Sequence, residues 1–263
     1  MQKTIQYLGT TLCYTVTGHG KPVVLLHGFG EDSSIFNYQI DFLKEHCQLI
    51  VPDLPGSGAS SINSQLTSMN DFAVCVHAIL QQENIGNCTM LGHSMGGYIT
   101  LAFAEQYPTL LNGFGFIHST AFADSEEKKE NRKRGIEMMQ EYGSYAFLKN
   151  TTPNLFGKKF KEAYPEKIAG LIESGKQFSI DALQQYYRAM MNRPDRTQVL
   201  QGSGLPVLFI IGTEDVAAPL NDVLKQTHLA NCSYIHILDE IGHMSMWEAP
   251  QLLNQYLLDY INK

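Results

Sequence analysis

Gly92-His-Ser-Met-Gly96 is the stretch whose residue types and spacing point most directly to chemistry. It matches G-x-S-x-G, the pattern in which a serine occupies a sharp strand-to-helix turn and its hydroxyl stands above a sheet. The apolar residues 88–91 before it read as a strand, and residues 96–106 after it as a helix ending before Pro108. Small residues on both flanks let backbones crowd the turn. The N-terminus of the following helix offers unpaired N–H groups and a positive dipole end to a developing oxyanion. Ser94 is therefore the candidate nucleophile.

A neutral serine hydroxyl attacks a carbonyl only with a base beside it. In a chain that alternates strands and helices, ligands collect at the carboxyl ends of the strands, so the base belongs in a loop after a later strand. His243, in Gly242-His243, follows the strand-like residues 233–238 and fits. His27 and His93 belong to other strand-end motifs, His236 lies inside a strand, and His19, His46, His77 and His228 fall away from strand ends. His118 ends a strand and is the competing candidate; with His243 as the base, it is expected to be dispensable. The acid that orients the imidazole and stabilises its cation is sought after residues 206–211, where Glu214 and Asp215 are adjacent. Asp215 is preferred for its shorter side chain and the Pro219 that follows, with Glu214 as the alternative. Asp239 and Glu240 are too near His243 in the chain to face it readily from a separate loop.

Two N–H donors are needed for the oxyanion. Met95, next after the serine, supplies one. Phe29, in His27-Gly-Phe-Gly30 after the strand-like residues 23–27, supplies the other, with Gly28 permitting close backbone approach. No metal-ligand spacing appears among the His, Cys, Asp and Glu residues, and the chemistry calls for neither metal nor cofactor, since water is the second substrate.

These groups need a common frame. Residues 11–16, 23–27, 48–51, 88–91 and 114–117 read as strands, separated by helical patterns over 34–45, 71–82 and 96–106. Strand–helix alternation of this kind implies a parallel sheet with right-handed crossovers. It stops over 121–202, where only helical patterns occur, and resumes with strands at 206–211 and 233–238 and helices near 220–229 and 250–261. Residues 125–200 hold 14 of the 19 Lys and Arg but only 10 of the 26 Asp and Glu, which marks the middle as a separate structural unit. The expected fold class is α/β: a mostly parallel, doubly wound sheet built from 1–120 and 203–263, with a helical insertion at 121–202.

With these residues in view, the sequence resembles the alpha/beta hydrolase fold superfamily. The resemblance rests on His27-Gly-Phe-Gly30, Asp53-Leu-Pro-Gly-Ser-Gly58 with Ser60, Gly92-His-Ser-Met-Gly-Gly97, Gly212-Thr-Glu-Asp215 with Pro219, and Gly242-His243 with Glu248 and Pro250. Within the superfamily it is similar to small carboxylesterases and to the 3-oxoadipate enol-lactonase-like group, through Asn131-Arg132 opening the insertion and Arg193-Pro-Asp195 closing it. The resemblance implies that 121–202 is a helical cap walling a pocket above Ser94, and that Phe29 narrows the oxyanion loop toward small or medium acyl groups. Phe122 of the cap and Trp247 beside the histidine loop join Phe29 as expected substrate contacts. Arg132, Arg134, Arg188, Arg193 and Arg196 are candidates for a basic lip. The implied activity is cleavage of carboxylic esters or lactones through an acyl-enzyme. Thioesters and C–C bonds are alternatives, and so is a ligand receptor on the same fold.

Composition narrows the partners. At 263 residues, with 44% hydrophobic and 17% charged residues, the chain is globular. A formal net charge of −7 argues against a general nucleic-acid binder. No apolar run is long enough to span a membrane, and the N-terminus has no secretory pattern. Five cysteines without close spacing fit reduced thiols in a cytoplasmic protein. A small-molecule partner and a monomer or homodimer are expected.

Overall fold

The computed structural model describes all 263 residues. Eight strands, β1 (Gln2–Tyr7), β2 (Thr10–Thr17), β3 (Pro22–Leu26), β4 (Gln48–Pro52), β5 (Cys88–His93), β6 (Leu111–Ile117), β7 (Pro206–Gly212) and β8 (Cys232–Leu238), form one sheet in the order β1-β2-β4-β3-β5-β6-β7-β8. Pairing is antiparallel from β1 through β2 to β4 and parallel from β4 to β8. Helices α1 (Asn37–Leu43), α2 (Met69–Gln82) and α3 (Met95–Gln106) connect the first strands. Then α4 (Glu126–Tyr142), α5 (Ser144–Thr151), α6 (Lys158–Ala163), α7 (Pro165–Ser174), α8 (Ile180–Met191) and α9 (Thr197–Gly202) follow β6 without an intervening strand. The chain closes with α10 (Leu220–Thr227), α11 (Ser245–Glu248) and α12 (Pro250–Ile261) around β8.

The central strands are apolar on both faces because helices cover both. Val24 and Leu26 of β3, with Val207, Phe209 and Ile211 of β7, face one cluster of 41 buried residues with α2, α3 and α8. Val23, Leu25, Leu208 and Ile210 face a second cluster of 22 with α1 and α12. Ser68 starts α2 in a capping box with Asp71. Helix α3 is buried almost all round, as a helix packed on every side must be.

The expected mostly parallel α/β sheet is present, with an added strand. β1 was invisible to hydrophobic patterning because it is an edge strand of polar residues that alternates exposed and half-buried positions. The helix expected over 34–45 is instead a 3₁₀ turn at Ser33–Phe36, capped by the Asp32 carboxylate, followed by the shorter α1.

The long helical segment is fastened at its root. Asp124 is buried and accepts from Arg132 Nε at 2.7 Å, while Arg193 Nη1 lies 2.9 Å from its other oxygen. Arg193 also donates to the Met190 and Phe122 carbonyls and lies over the Tyr98 ring at 3.8 Å. The Arg196 N–H donates to the Ala121 carbonyl at 2.8 Å, so the segment's entry and exit are hydrogen-bonded to each other. The residues that open and close the segment in sequence thus converge on one carboxylate. Removing it would leave two guanidinium groups without their counter-charge, the costly case for a buried pair.

No helix is long and apolar enough to cross a membrane. All five cysteines are free; four are buried and Cys232 is exposed.

Candidate active site

Parallel pairing brings the loops after β3, β5, β6, β7 and β8 to one edge of the sheet. The strand order reverses between β3 and β5, the place where open α/β sheets leave a crevice. Ser94 follows β5 and caps α3 with φ 51° and ψ −114°, a positive-φ conformation that L-residues adopt only under constraint. The constraint is close packing. A Cβ on Gly92 would lie 2.2 Å from the Gly96 carbonyl, and one on Gly96 would lie 2.2 Å from the Leu26 carbonyl oxygen. The Ser94 N–H donates to Ile117 O at 3.0 Å, and its carbonyl accepts from Ser119 Oγ at 2.7 Å. Its side chain is left free of hydrogen bonds and partly exposed.

Asp215, after β7, meets His243, after β8, with Oδ2 2.8 Å from Nδ1. The other carboxylate oxygen accepts from the Ala217 and Ala218 N–H groups at 2.8 and 2.9 Å. Burial alone would raise the Asp215 pKa; the His243 charge and hydrogen bonds from two imidazoles instead hold it far below the usual carboxylate range. An ionised carboxylate only accepts, so His243 Nδ1 carries the proton and Nε2 is the basic atom. Burial works against the His243 cation, but the Asp215 charge and hydrogen bond outweigh it and lift this imidazole above the ordinary histidine range. His243 Nε2 has no hydrogen-bond partner in the protein, and the His243 N–H is anchored to Leu155 O at 2.6 Å. Glu214 points elsewhere and accepts from the Lys158 N–H at 2.6 Å.

His118, the competing candidate at a strand end, expected to be dispensable, is also at Asp215. Its Nδ1 lies 3.1 Å from the same Oδ2, and its Nε2 lies 2.7 Å from Ser245 Oγ. Burial, only partly opposed by Asp215, pushes the His118 pKa down to about 4, so the ring is neutral near pH 7. Its free end is thereby committed to Ser245, whereas that of His243 is not. His118, Asp215 and His243 also form the one set of ligand-type atoms close enough for a metal, all within 4.8 Å of one another. Those atoms are engaged in proton sharing, which a cation would have to displace.

Gly28 brings the loop after β3 against Ser94, since a Cβ there would lie 3.1 Å from Ser94 Cβ. The Gly28 N–H donates to Glu31 Oε2 at 2.7 Å, leaving the next N–H, that of Phe29, without a protein acceptor. Met95 begins α3, so its N–H is among those a helix leaves unpaired. The same Glu31 oxygen lies 2.9 Å from His93 Nδ1, and the His93 Nε2–H donates to the His243 carbonyl at 2.9 Å. Burial would raise the Glu31 pKa; His93 and the Gly28 N–H hold it below the usual range.

Residues 21–134 match the family described as alpha/beta hydrolase fold. A thermophilic esterase from Thermogutta terrifontis, solved with malate bound, superposes with a TM-score of 0.93 at 26% identity, covering 100% of this chain and 98% of that one. The chain has the alpha/beta hydrolase fold. Its relatives include the (E)-2-((N-methylformamido)methylene)succinate hydrolase of Acinetobacter baylyi, 25% identical over 97% of this chain and 96% of that protein. Another is the 2-hydroxy-6-oxononadienedioate/2-hydroxy-6-oxononatrienedioate hydrolase of Paraburkholderia phymatum, 28% identical over 95% of this chain and 90% of that protein.

In this hydrolase fold an aromatic group covers the Phe29 loop. Phe29 stacks on Tyr187 at 4.4 Å and meets the edges of Phe147 at 6.2 Å and Tyr186 at 6.4 Å. Tyr186 is pinned by its hydroxyl to Ser57 Oγ and the Pro55 carbonyl. Phe122 is placed elsewhere, in a cavity of about 280 Å³ with Thr120, Lys128 and Asp222. Trp247 donates its ring N–H to Ile35 O at 3.2 Å and packs toward Phe156, in the cluster on the α1 and α12 face. Of the five arginines considered for a basic lip, Arg132 and Arg193 serve Asp124, Arg196 pairs with Glu105, and Arg134 and Arg188 are exposed.

Reading the chain alone missed four groups at this edge: Glu31, Ser119, Ser245 and the carboxylate of Glu248. Glu248 accepts from the Gly157, Gly242 and Met244 N–H groups and so fixes the turn that carries His243. Burial, eased by those three donors, raises its pKa. Glu248 belongs to the motif around Gly242-His243, but its spacing there does not reveal this role. Nothing in the residue pattern distinguished the other three.

Proposed function

We propose that this protein is a serine hydrolase that cleaves small carboxylic esters or lactones through an acyl-enzyme, without a cofactor. The observation that carries the reading is the Asp215–His243 hydrogen bond with a free Nε2, together with a serine on a strained strand-to-helix turn whose preceding residue, His93, is hydrogen-bonded to the His243 carbonyl. In this reading Ser94 Oγ attacks the carbonyl carbon as its proton passes to His243 Nε2. The Phe29 and Met95 N–H groups hold the oxyanion, and Asp215 stays ionised and stabilises the imidazolium. Collapse of the adduct expels the alkoxide, which takes the proton from Nε2. Water then repeats the cycle and releases the acid. The Ser94 hydroxyl joins His243 when substrate closes the site, as catalytic hydrogen bonds that are loose in free enzymes commonly do. Residues 121–202 act as the cap, and Phe29 with Tyr186, Tyr187 and Phe147 forms its contact with the acyl side.

The relative from Paraburkholderia phymatum supports a second reading, hydrolysis of a C–C bond next to a carbonyl by the same constellation. A panel of p-nitrophenyl acetate, butyrate, simple lactones and a vinylogous 1,5-diketone separates the two. Turnover of the esters or lactones is expected, with Ser94→Ala losing on the order of 10³-fold or more. Turnover of the diketone alone would move the assignment to C–C cleavage. Ester turnover that survives in Ser94→Ala would overturn the nucleophile.

A further inference from the structure

We infer that His118 is a positioning residue for the hydrolytic reaction: it holds the Asp215 carboxylate in the orientation from which the same oxygen directs His243. The inference rests on the Ser94–His243–Asp215 reading above. Two buried imidazoles place Nδ1 within 3.1 Å of one oxygen, Asp215 Oδ2. Such sharing is costly unless both rings donate, and the far end of His118 shows how its tautomer is set. Ser245 Oγ, 2.7 Å from His118 Nε2, has its own proton to give, so Nε2 accepts and Nδ1 keeps the hydrogen that points at Asp215. The chain is shaped for this. His118 has φ 54°, a left-handed conformation in a residue that is not glycine, and it follows β6 at the register position beside Ser94. Its N–H is tied to Ile210 O at 2.9 Å. Ser94 and His118 are thus neighbouring strand ends, both bent out of line, one presenting a hydroxyl and the other an imidazole.

The consequence is electrostatic as well as geometric. Asp215 accepts four hydrogen bonds, two from backbone N–H groups and two from imidazoles. Each donor withdraws charge from the carboxylate. Without His118, Asp215 would present more negative charge to the His243 imidazolium, and Oδ2 would keep only one of the two donors that fix its direction. The base would become harder to deprotonate and less well aimed. The groups that face this cluster are few. His93, from the end of β5, has its ring centroid 6.2 Å from His118 and 4.8 Å from His243 and is paired with Glu31, while the Glu248 charge acts on His243 from the α11 side. None of these donates to Asp215, so none substitutes for His118.

The test is a pH profile of kcat/KM for p-nitrophenyl acetate with the wild-type protein, His118→Leu and His118→Asn. His118→Leu removes the donor at similar volume; His118→Asn keeps an N–H near the Nδ1 position. In the wild-type protein activity rises with pH as His243 loses its proton, at a midpoint above the ordinary histidine value of about 6.5. His118→Leu is expected to lower kcat by about 10–100-fold with little change in KM, by analogy with other outer-shell orienting partners, and to move the midpoint to higher pH. His118→Asn is expected to restore most of both. Should His118→Leu fail to fold, His118→Gln carries the test: its amide reaches toward Ser245 at the Nε2 position but leaves no N–H at the Nδ1 position, so the midpoint moves in the same direction. Wild-type kcat and midpoint in a folded His118→Leu protein, or in His118→Gln where Leu does not fold, would overturn the inference alone. A wild-type protein without turnover would instead overturn the triad reading beneath it.

Discussion

Two buried carboxylates flank Ser94, and each meets an imidazole. Glu31 meets His93 at 2.9 Å, and Asp215 meets His243 at 2.8 Å. Both carboxylates are held below their usual pKa against the effect of burial. They differ at the far end of the ring. His93 spends its second nitrogen on the His243 carbonyl, so the Glu31 pair ties together Gly28 after β3, His93 at the end of β5 and the backbone of His243. His243 leaves its second nitrogen without a partner. A carboxylate–imidazole contact is therefore not in itself a catalytic pair; in the proposed reading the free Nε2 of His243 makes it one. On this view Asp215 acts on a proton transfer, and Glu31 acts on the placing of the parts.

The comparison predicts unequal losses. Asp215→Asn should be the most damaging of three carboxylate substitutions, because an amide that donates to Nδ1 selects the wrong imidazole tautomer. A fall on the order of 10⁴ in kcat is the precedent in another triad enzyme. Glu31→Gln keeps an acceptor for the Gly28 N–H and should lower kcat by only about tenfold, well below the roughly 10²–10³ that follows outright loss of an oxyanion donor. Equal losses in steady-state kinetics would erase the distinction between the two pairs. Glu214→Gln should cost least, within about threefold, since the Glu214 carboxylate is turned to the Lys158 N–H and reaches Asp215's partner only as a screened charge. A larger loss there than for Asp215→Asn would transfer the acid's role to Glu214.

The same contrast explains what could be read from the chain. Ser94, His243 and Asp215 were nominated by local patterns, because a strand-to-helix turn and the ends of apolar runs are written in consecutive residues. The sheet was legible for the same reason, except β1, whose polar edge position carries no apolar signature. Glu31 and His93 are separated by 62 residues, and His118 and Ser245 by 127. Such pairings depend on strand order and on which way a strained turn points, and neither is encoded locally. His118 shows the limit well: its position at a strand end was plain, but its partner was not. The helical segment was legible as helices and illegible in its contacts. Arg132 and Arg193 were noticed at its two ends, yet only the fold brings both to Asp124. Trp247 follows the histidine loop, as its place in the chain requires, but its ring N–H donates to Ile35 O and the side chain packs with the cluster on the α1 and α12 face.

The most direct test of the central claim, that Ser94 is an activated nucleophile, is covalent labelling with a fluorophosphonate, with the adduct located by peptide mass spectrometry. A single adduct on Ser94 is expected, forming faster as pH rises through the His243 ionisation and much more slowly in Asp215→Asn. A protein left unmodified, or modified at another residue while Ser94 stays intact, would contradict it.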